Sequence, residues 1–390
     1  MVARLTIQSL RLTINRIRLT TGNWPRDPLM PATPKKTRAK GEDVRRYIID
    51  HVDDHAGDIA KRATSVFGIT RQAVHKHLRR LVEEGVLNES GQTRSHSYRL
   101  ATLSEWESAY PIAAALAEDI VWTREVRATL GELPDNVLLL WQHGFTEMFN
   151  NAVDHSEGTR IHVGVRRTAA TIEMTISDDG VGIFKKIQDR MSLLDERHAI
   201  LELSKGKLTT DPDRHSGEGI FFTSRMFDSF DILSGGVSFS HSESGANDWG
   251  RDNPDFQAGT TVWMRLRNHS TRTTKKIFDE YVSGEDYDFS RTVVPVVLAQ
   301  YVADPLISRS QAKRVLSRVE LFRTVVFDFS GVEAIGQAFA DEIFRVFSKA
   351  HPGIDLQVIH ANAAVRKMIS RANPIFPRAP SSGQTPSKRG

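Results

Sequence analysis

FTEMFNNAVDHS at residues 145–156, with SDDGVGI at 177–183 and HSGEGI at 215–220, decides how this chain is read. The first segment has a helical pattern and sets Glu147 and Asn151 four residues apart, so a carboxylate and an amide share one face of one helix. Residues 171–176 alternate and end in acidic residues and two glycines, the pattern of a strand running into a sharp turn. That turn presents Asp178, while Gly180 and Gly182 let the backbone come close to a ligand. Gly217 and Gly219 stand before an apolar helical run at 220–226, which predicts backbone N–H groups gathered at a helix N-terminus, a seat for an anion.

These residue types suit phosphate chemistry. An octahedral Mg2+ carrying phosphate oxygens and waters has room for about one protein oxygen, and the neutral amide of Asn151 supplies it without repelling phosphate. Glu147, one turn earlier, is the candidate base for an attacking water or hydroxyl. Asp178 can accept a hydrogen bond from an exocyclic amine such as that of adenine. Taken singly, each has a plain explanation as a surface Asn, a solvated Glu or a tight turn. Their order carries more. E-x-x-x-N-A-x-x-H (Glu147, Asn151, Ala152, His155) followed by D-x-G-x-G-I (Asp178, Gly180, Gly182, Ile183) resembles the ATPase family shared by histidine kinases, type II topoisomerases, mismatch-repair ATPases and anti-sigma-factor serine kinases. The later G-x-G departs from that family in carrying Glu218 between its glycines. Gly259-Thr260-Thr261 opens an alternating run to Leu266 and resembles the family's last strand, with Thr260 the first choice and Thr261 the second for the threonine beside the aspartate-held adenine. The resemblance covers roughly residues 110–268. It implies ATP and Mg2+ as ligands, an α/β sandwich with helices on one face of a mixed sheet, a mobile lid within 184–214 and, as is common in the family, a homodimer. Residues 234–258, rich in Gly, Ser and Asn, read as a polar and disordered loop.

Composition sets the outer bounds. With 390 residues, 39% hydrophobic and 26% charged, the chain can bury more than one core. The absence of cysteine rules out disulfides and thiolate metal sites and is compatible with a reducing cytoplasm, the location we expect. The 14 histidines show no paired metal spacing. No apolar run approaches the length of a membrane span, so no membrane partner is expected. A net charge of +4 is small for this length, so nucleic-acid binding has to be argued from where charge lies. Residues 1–25 carry Arg4, Arg11, Arg16 and Arg18 with no acid, and residues 1–40 read as a disordered leader and linker, with Met30 an alternative start.

Residues 41–101 form a first unit. Val44, Ile48, Ile49 and Val52 recur at helical spacing, a second helix spans 59–67, and Thr70 can cap a third. In the third helix Val74, Leu78, Leu81 and Val82 make an apolar stripe, and Gln72, His75, Lys76 and Arg79 lie at i, i+3, i+4 and i+7 on the opposite face. Residues 86–88 and 96–100 read as a two-stranded wing with Arg94 near its tip. The run ITRQAVHKHLRRLVEEGVL resembles the winged helix-turn-helix of bacterial regulators, which implies that Gln72, His75, Lys76, Arg79 and Arg94 face DNA. The alternatives are a solvated charged face or a protein-binding wing.

Residues 286–372 form a third unit. Strands are expected at 293–298, 325–329 and 356–359, with helices at 308–319 and 338–347, the pattern of a small α/β domain. SRSQAKRVL and VVFDFSGVEAIGQAFADEIFRVF resemble a STAS-like domain related to anti-sigma-factor antagonists. The antagonists' phosphorylated Asp-Ser-Ser-Gly segment is replaced by Gly336, Gln337, Ala338 and Phe339, so the domain reads as a protein-docking surface. Residues 373–390 read as a disordered tail. The whole is a multidomain α/β chain: a winged helix (α+β), an α/β sandwich ATPase with a mixed sheet, and a small α/β STAS-like domain. Its leading function is ATP-dependent regulation of DNA binding and partner docking. The alternatives are an anti-sigma-type serine or histidine kinase acting in trans and a nucleotide-gated binder without turnover. The stretch 106–140 lacks any histidine, which argues against a conventional histidine kinase.

Overall fold

Val44 and Ile48 are buried along one face of α1 (Gly41–His51), with Val52 buried just past its end, as their spacing predicts. In the computed structural model, residues 41–91, 96–113, 116–208, 217–242, 248–252, 258–283, 288–302, 305–374 and 376 are described. The leader, Arg94 and residues 377–390 lie outside them. α2 (Ile59–Phe67) ends at Gly68, whose left-handed φ of 63° lets its N–H reach the Thr64 carbonyl. α3 (Arg71–Glu83) begins at Thr70, whose hydroxyl accepts from the Ala73 N–H at 3.2 Å. It buries Val74, Leu78 and Leu81 as expected. β1 (Leu87–Ser90) and β2 (Ser97–Leu100) close this region as an antiparallel hairpin with Leu87 opposite Leu100. Its core also takes in Ala170, from the turn between two later strands.

Two compact units make up the chain, one of Met1–Leu138, Arg160–Ile176 and Trp263–Thr271, the other of Leu139–Thr159, Ser177–Val262 and Arg272–Gly390. In the first, β3 (Ser104–Pro111) pairs antiparallel along its full length with β4 (Arg160–Arg167). Sheet structure therefore starts ahead of residue 110. Alternate β3 residues are half-buried and exposed, the period of a strand covered on one face. Helical turns Glu118–Val121, Trp122–Val126 and Arg127–Leu130 follow, then α4 (Asp135–His155). β5 (Thr171–Asp178) is buried from Thr171 to Ile176.

In the second unit α5 (Ile183–Met191) and α6 (Glu196–Lys205) follow, then α7 (Gly219–Met226), β6 (Ser229–Ser234), β7 (Val237–Ser242) and β8 (Asp248–Asp252); β9 (Thr260–Arg267) begins there and belongs to the first unit from Trp263. The large sheet has the order β3-β4-β5-β9-β6-β7-β8. Two expectations are corrected here. Residues 234–258 contain a hairpin and a further strand: Gly235-Gly236, with Gly235 at φ 57°, form the two-residue turn that sets Ser234 opposite Val237. A glycine pair between DILS and VSFS was a readable hairpin signal that the polar composition masked. The expected mobile lid contains α6, in which every residue from His198 to Lys205 is buried. A helix buried on all sides is a core element.

α8 (Thr274–Tyr281) leads through a short antiparallel pair, β10 (Val282–Ser283) and β11 (Asp288–Phe289), to β12 (Arg291–Pro295). α9 (Val296–Val302) starts at once, so the strand expected over 293–298 stops at Pro295, where pairing with the next strand ends. The β-branched residues Val296 and Val297 yield to that limit. α10 (Arg309–Leu316) opens on a capping box between Ser308 and Gln311. β13 (Thr324–Asp328), α11 (Gln337–Asp341), β14 (Asp355–Ile359) and α12 (Ala363–Ala372) complete a three-stranded parallel sheet, β12-β13-β14, with its helices. The tail expected from 373 begins in contact: Asn373 donates to the Phe344 carbonyl at 2.9 Å and the Phe376 ring stands 5.0 Å from that of Phe344. No helix among the described residues is long and apolar enough to cross a membrane.

Candidate functional site

β5 delivers two neighbouring aspartates to its end, and packing gives them different work. Asp179 is spent on the chain after α4: its carboxylate accepts from the Thr159 N–H at 2.6 Å and the Thr159 hydroxyl at 2.7 Å. Asp178 Oδ1 accepts from the Gly180 N–H at 3.0 Å and the Thr260 N–H at 3.2 Å. Two donors on one oxygen hold the carboxyl in place, and among the described residues no hydrogen bond occupies Oδ2. Burial pushes its pKa up to about 6, against those two N–H groups, which pull it down.

The glycines around Asp178 are there for space. A Cβ on Gly180 would stand 2.0 Å from the Ser156 carbonyl oxygen, immediately after α4. Gly182 has φ 88°, and a Cβ there would meet the Ser234 hydroxyl at 2.6 Å. Gly259, at φ 70°, donates its N–H to the Gly180 carbonyl at 3.0 Å, and its Cα faces the Asp178 carbonyl so closely that a Cβ would sit 1.9 Å from it. The loop at 178–182 is thus held between the end of α4 and the start of β9. Thr260 serves it twice: its N–H holds Asp178, and its hydroxyl accepts from the Ile183 N–H at 3.0 Å at the head of α5. Thr261, the reserve choice, bonds the Ser177 hydroxyl at 2.8 Å instead.

Glu147 and Asn151 are half-buried on α4, one turn apart. Glu147 lies against the start of α7, where a Cβ on Gly219 would stand 2.0 Å from Glu147 Oε2. The carboxylate and the helix N-terminus therefore adjoin. Gly217, at φ 73°, accepts from the Leu208 N–H at 3.0 Å and would carry a Cβ 2.4 Å from the Leu208 backbone. One turn before Glu147, burial holds His143 below its ordinary pKa, with the Glu147 carboxylate pulling the other way. α4 thus carries Glu147 and Asn151 and meets Gly219 through Glu147 and Gly180 through Ser156 just past its end, while Asp178, Gly182 and Thr260 join through the 178–182 loop and Gly217 is held by Leu208. Sequence reasoning missed His143, Ser156, Ser234 and the structural part of Gly259. Only Gly259 carried a signal, a glycine opening a strand.

A cavity of about 1000 Å³ opens elsewhere, between the α5–α6 turn and the β6–β7 turn, lined by residues such as Gln188, Glu196 and Gly235. None of the motif residues lines it.

On the outer face of α3, Gln72, Lys76 and Arg79 are exposed and His75 is half-buried. Its neighbour Arg80 is taken: with Arg45 it grips Glu84, Arg80 at 2.8 Å, and the two guanidiniums, Arg45 first, hold that carboxyl at about 2. Arg79 has no such partner among the described residues.

Residues 136–270 match the family of histidine kinase-, DNA gyrase B- and HSP90-like ATPases. Residues 311–366 match a STAS-like domain of unknown function. No curated protein matches the chain. The chain thus carries an ATPase-type domain followed by a STAS-like domain, which points to ATP binding and a regulatory role.

Proposed function

We propose that this chain is an ATP-dependent regulator, in which nucleotide held between α4, the 178–182 turn and α7 governs an N-terminal DNA-binding module and a C-terminal docking domain. The observation that carries the nucleotide reading is Asp178, a half-buried carboxylate fixed through Oδ1 by two backbone N–H groups, with Oδ2 left to accept from a ligand amine. The surroundings fit the ligand. The bare Cα atoms of Gly180 and Gly182 keep the base side of the site narrow, and the α7 N-terminus beside Glu147 supplies N–H groups where phosphate charge would lie. Asn151 would offer a neutral oxygen to a phosphate-bound Mg2+, and Glu147 would take a proton from water or a protein hydroxyl. ATP, when bound, supplies the phosphoryl group. The protein's part is to orient it, exclude water and accept that proton.

Titration calorimetry with ATP, with and without Mg2+, tests this. Wild type binds with Mg2+ strengthening the complex, and Asn151→Ala loses the Mg2+-dependent part. An Asn151→Ala variant that responds to Mg2+ like wild type removes Asn151 as the metal ligand. Terminally labelled ATP then separates the possible outcomes of binding. Free phosphate supports an ATPase switch, label on an added protein supports a kinase acting in trans, and neither supports a nucleotide-gated binder.

The DNA reading rests on the exposed Gln72, Lys76 and Arg79 along α3, followed by the β1–β2 hairpin in the manner of a winged helix. Arg79→Ala is expected to weaken duplex binding and to lower the salt slope of log K by about one. Gel shifts across a salt series check it, and an unchanged slope would favour a protein-binding wing. Domain limits of 41–101 and 286–372, a nucleotide domain of 110–268 extended at its start by β3, a homodimer and a cytoplasmic location belong to the same proposal.

A further inference from the structure

α6 and α7 flank the glycine turn of the nucleotide site, and both are fastened to the C-terminal domain. Arg318, in the left-handed region at φ 62° just after α10, does most of this. Its Nη2 donates to the Gly206 carbonyl at 2.8 Å and also to the Lys207 carbonyl, while Nη1 reaches Glu202 Oε2 at 3.1 Å. Lys205, wholly buried, donates to the carbonyls of Arg314 at 3.0 Å and Ser317 at 2.9 Å and pairs with Glu202 at 2.8 Å. The Thr292 hydroxyl, on β12, donates to the Lys205 carbonyl at 2.6 Å.

From this anchor a continuous path reaches the site. Gly206 and Lys207 lead directly to Leu208, whose N–H donates to the Gly217 carbonyl, and Gly219 abuts Glu147. α7 is held from the same side: Phe221 and Phe222 pack on Phe289 with ring centroids 4.6 and 4.9 Å away, and Phe289 packs on Phe322 at 5.2 Å. Gly206, at φ 79°, is needed at the meeting point, since a Cβ there would stand 2.7 Å from the Phe289 ring.

We infer that Arg318 of the STAS-like domain is a positioning residue for the phosphate end of the nucleotide site, holding the Gly217–Gly219 turn and the α7 N-terminus against Glu147. This rests on the nucleotide reading given above. A planar fork meets three carbonyls, those of Glu202, Gly206 and Lys207, and a carboxylate at once, which a lysine ammonium on a flexible stem does not reproduce. A partner that moves the α10–β13 connection thereby alters how the site grips phosphate, and by linkage nucleotide alters that surface in return.

The test compares wild type, Arg318→Ala and Arg318→Lys by calorimetric binding of ATP and of ADP, each with Mg2+, and by thermal unfolding without nucleotide. Glu202 keeps Lys205 when Arg318 is removed, so Arg318→Ala is expected to fold, and Arg318→Lys retains the charge should it not. ATP affinity is expected to fall about tenfold in Arg318→Ala and by a smaller factor in Arg318→Lys, as for a coupling near the upper end of those seen along packed networks. ADP affinity should hold within about twofold, because on this reading the terminal phosphate would be the part that meets the turn. A folded Arg318→Lys or Arg318→Ala with the wild-type ratio of ATP to ADP affinity overturns the inference. So does a parallel loss of both nucleotides with a lowered unfolding temperature, which marks a merely structural prop. Wild type that binds neither nucleotide overturns the nucleotide reading itself, and the inference with it.

Discussion

Asp178→Asn is expected to make the protein more stable above pH 7 and unable to hold ATP. The wild-type carboxyl titrates at about 6 in the fold, because burial disfavours its charge. An aspartate in the unfolded chain titrates near 3.9, so the folded state binds this proton more tightly. The sign follows: the contribution to stability is fully present below about pH 4 and is lost as pH rises through 6, leaving the ionised group at a cost of about 3 kcal/mol at neutral pH. Asparagine keeps an oxygen for the N–H groups of Gly180 and Thr260 and carries no charge. Its unfolding temperature should therefore exceed that of wild type by several degrees at pH 8, with the difference vanishing toward pH 4. The same change turns the acceptor at Oδ2 into an amide donor facing an exocyclic amine. A donor against a donor in a buried site is expected to cost about 100-fold or more in ATP affinity. Wild-type affinity should itself decline as pH drops below about 6. Calorimetry and thermal melts from pH 5 to 8 check both halves. An Asp178→Asn variant that binds ATP as wild type does removes Asp178 from base recognition, and a stability difference independent of pH would show that the carboxyl is not the buried titrating group.

Glu147→Ala is expected to leave Mg-ATP binding within a few-fold of wild type and to lower turnover by about 10²–10⁴, the usual worth of a positioned base. Gly219→Ala provides the matching test from the opposite side. Its new methyl group would sit 2.0 Å from Glu147 Oε2, so something must move. The carboxylate is the far end of a flexible side chain and moves easily, whereas the α4 and α7 backbones do not. The fold should be kept, with melting close to wild type, while the base is pushed out of line and turnover falls toward that of Glu147→Ala. Phosphate release from labelled ATP, or transfer of label to a protein acceptor, measures the loss. Full turnover in Glu147→Ala would assign the base to another residue. Full turnover in Gly219→Ala alone would mean that Glu147 acts in a position away from the α7 N-terminus.

Much of the site could be read from the chain because its parts are local. Glu147 and Asn151 share a helix face by the helical period alone, and the run at 171–176 ends at Asp178 because an alternating strand meets two glycines. Thr70 marks a helix start through a bond to the residue three positions on, so that cap was equally plain, and Ser308 with Gln311 carried the same kind of signal. Apart from the hairpin at Gly235-Gly236 and the early end of β12, what escaped depends on residues far apart in sequence. ERHAILELSK looks like a helix with a charged outer face, and periodicity has no means of saying that Glu202 and Lys205 are buried against Arg318 and the carbonyls of Arg314 and Ser317.

The sequence by itself determined most of the helices, the Thr70 cap and the order of the nucleotide motifs, since these follow from neighbouring residues and a fixed period. Tertiary structure alone decided which of two adjacent aspartates stays available, why Gly259 must lack a side chain, and that the helix expected to be a free lid is a core element fastened to the next domain. The reason is physical. Close approach, burial of charge and shared hydrogen bonds belong to surfaces that meet only after the chain has folded, and nothing in a local stretch of residues records what will cover it.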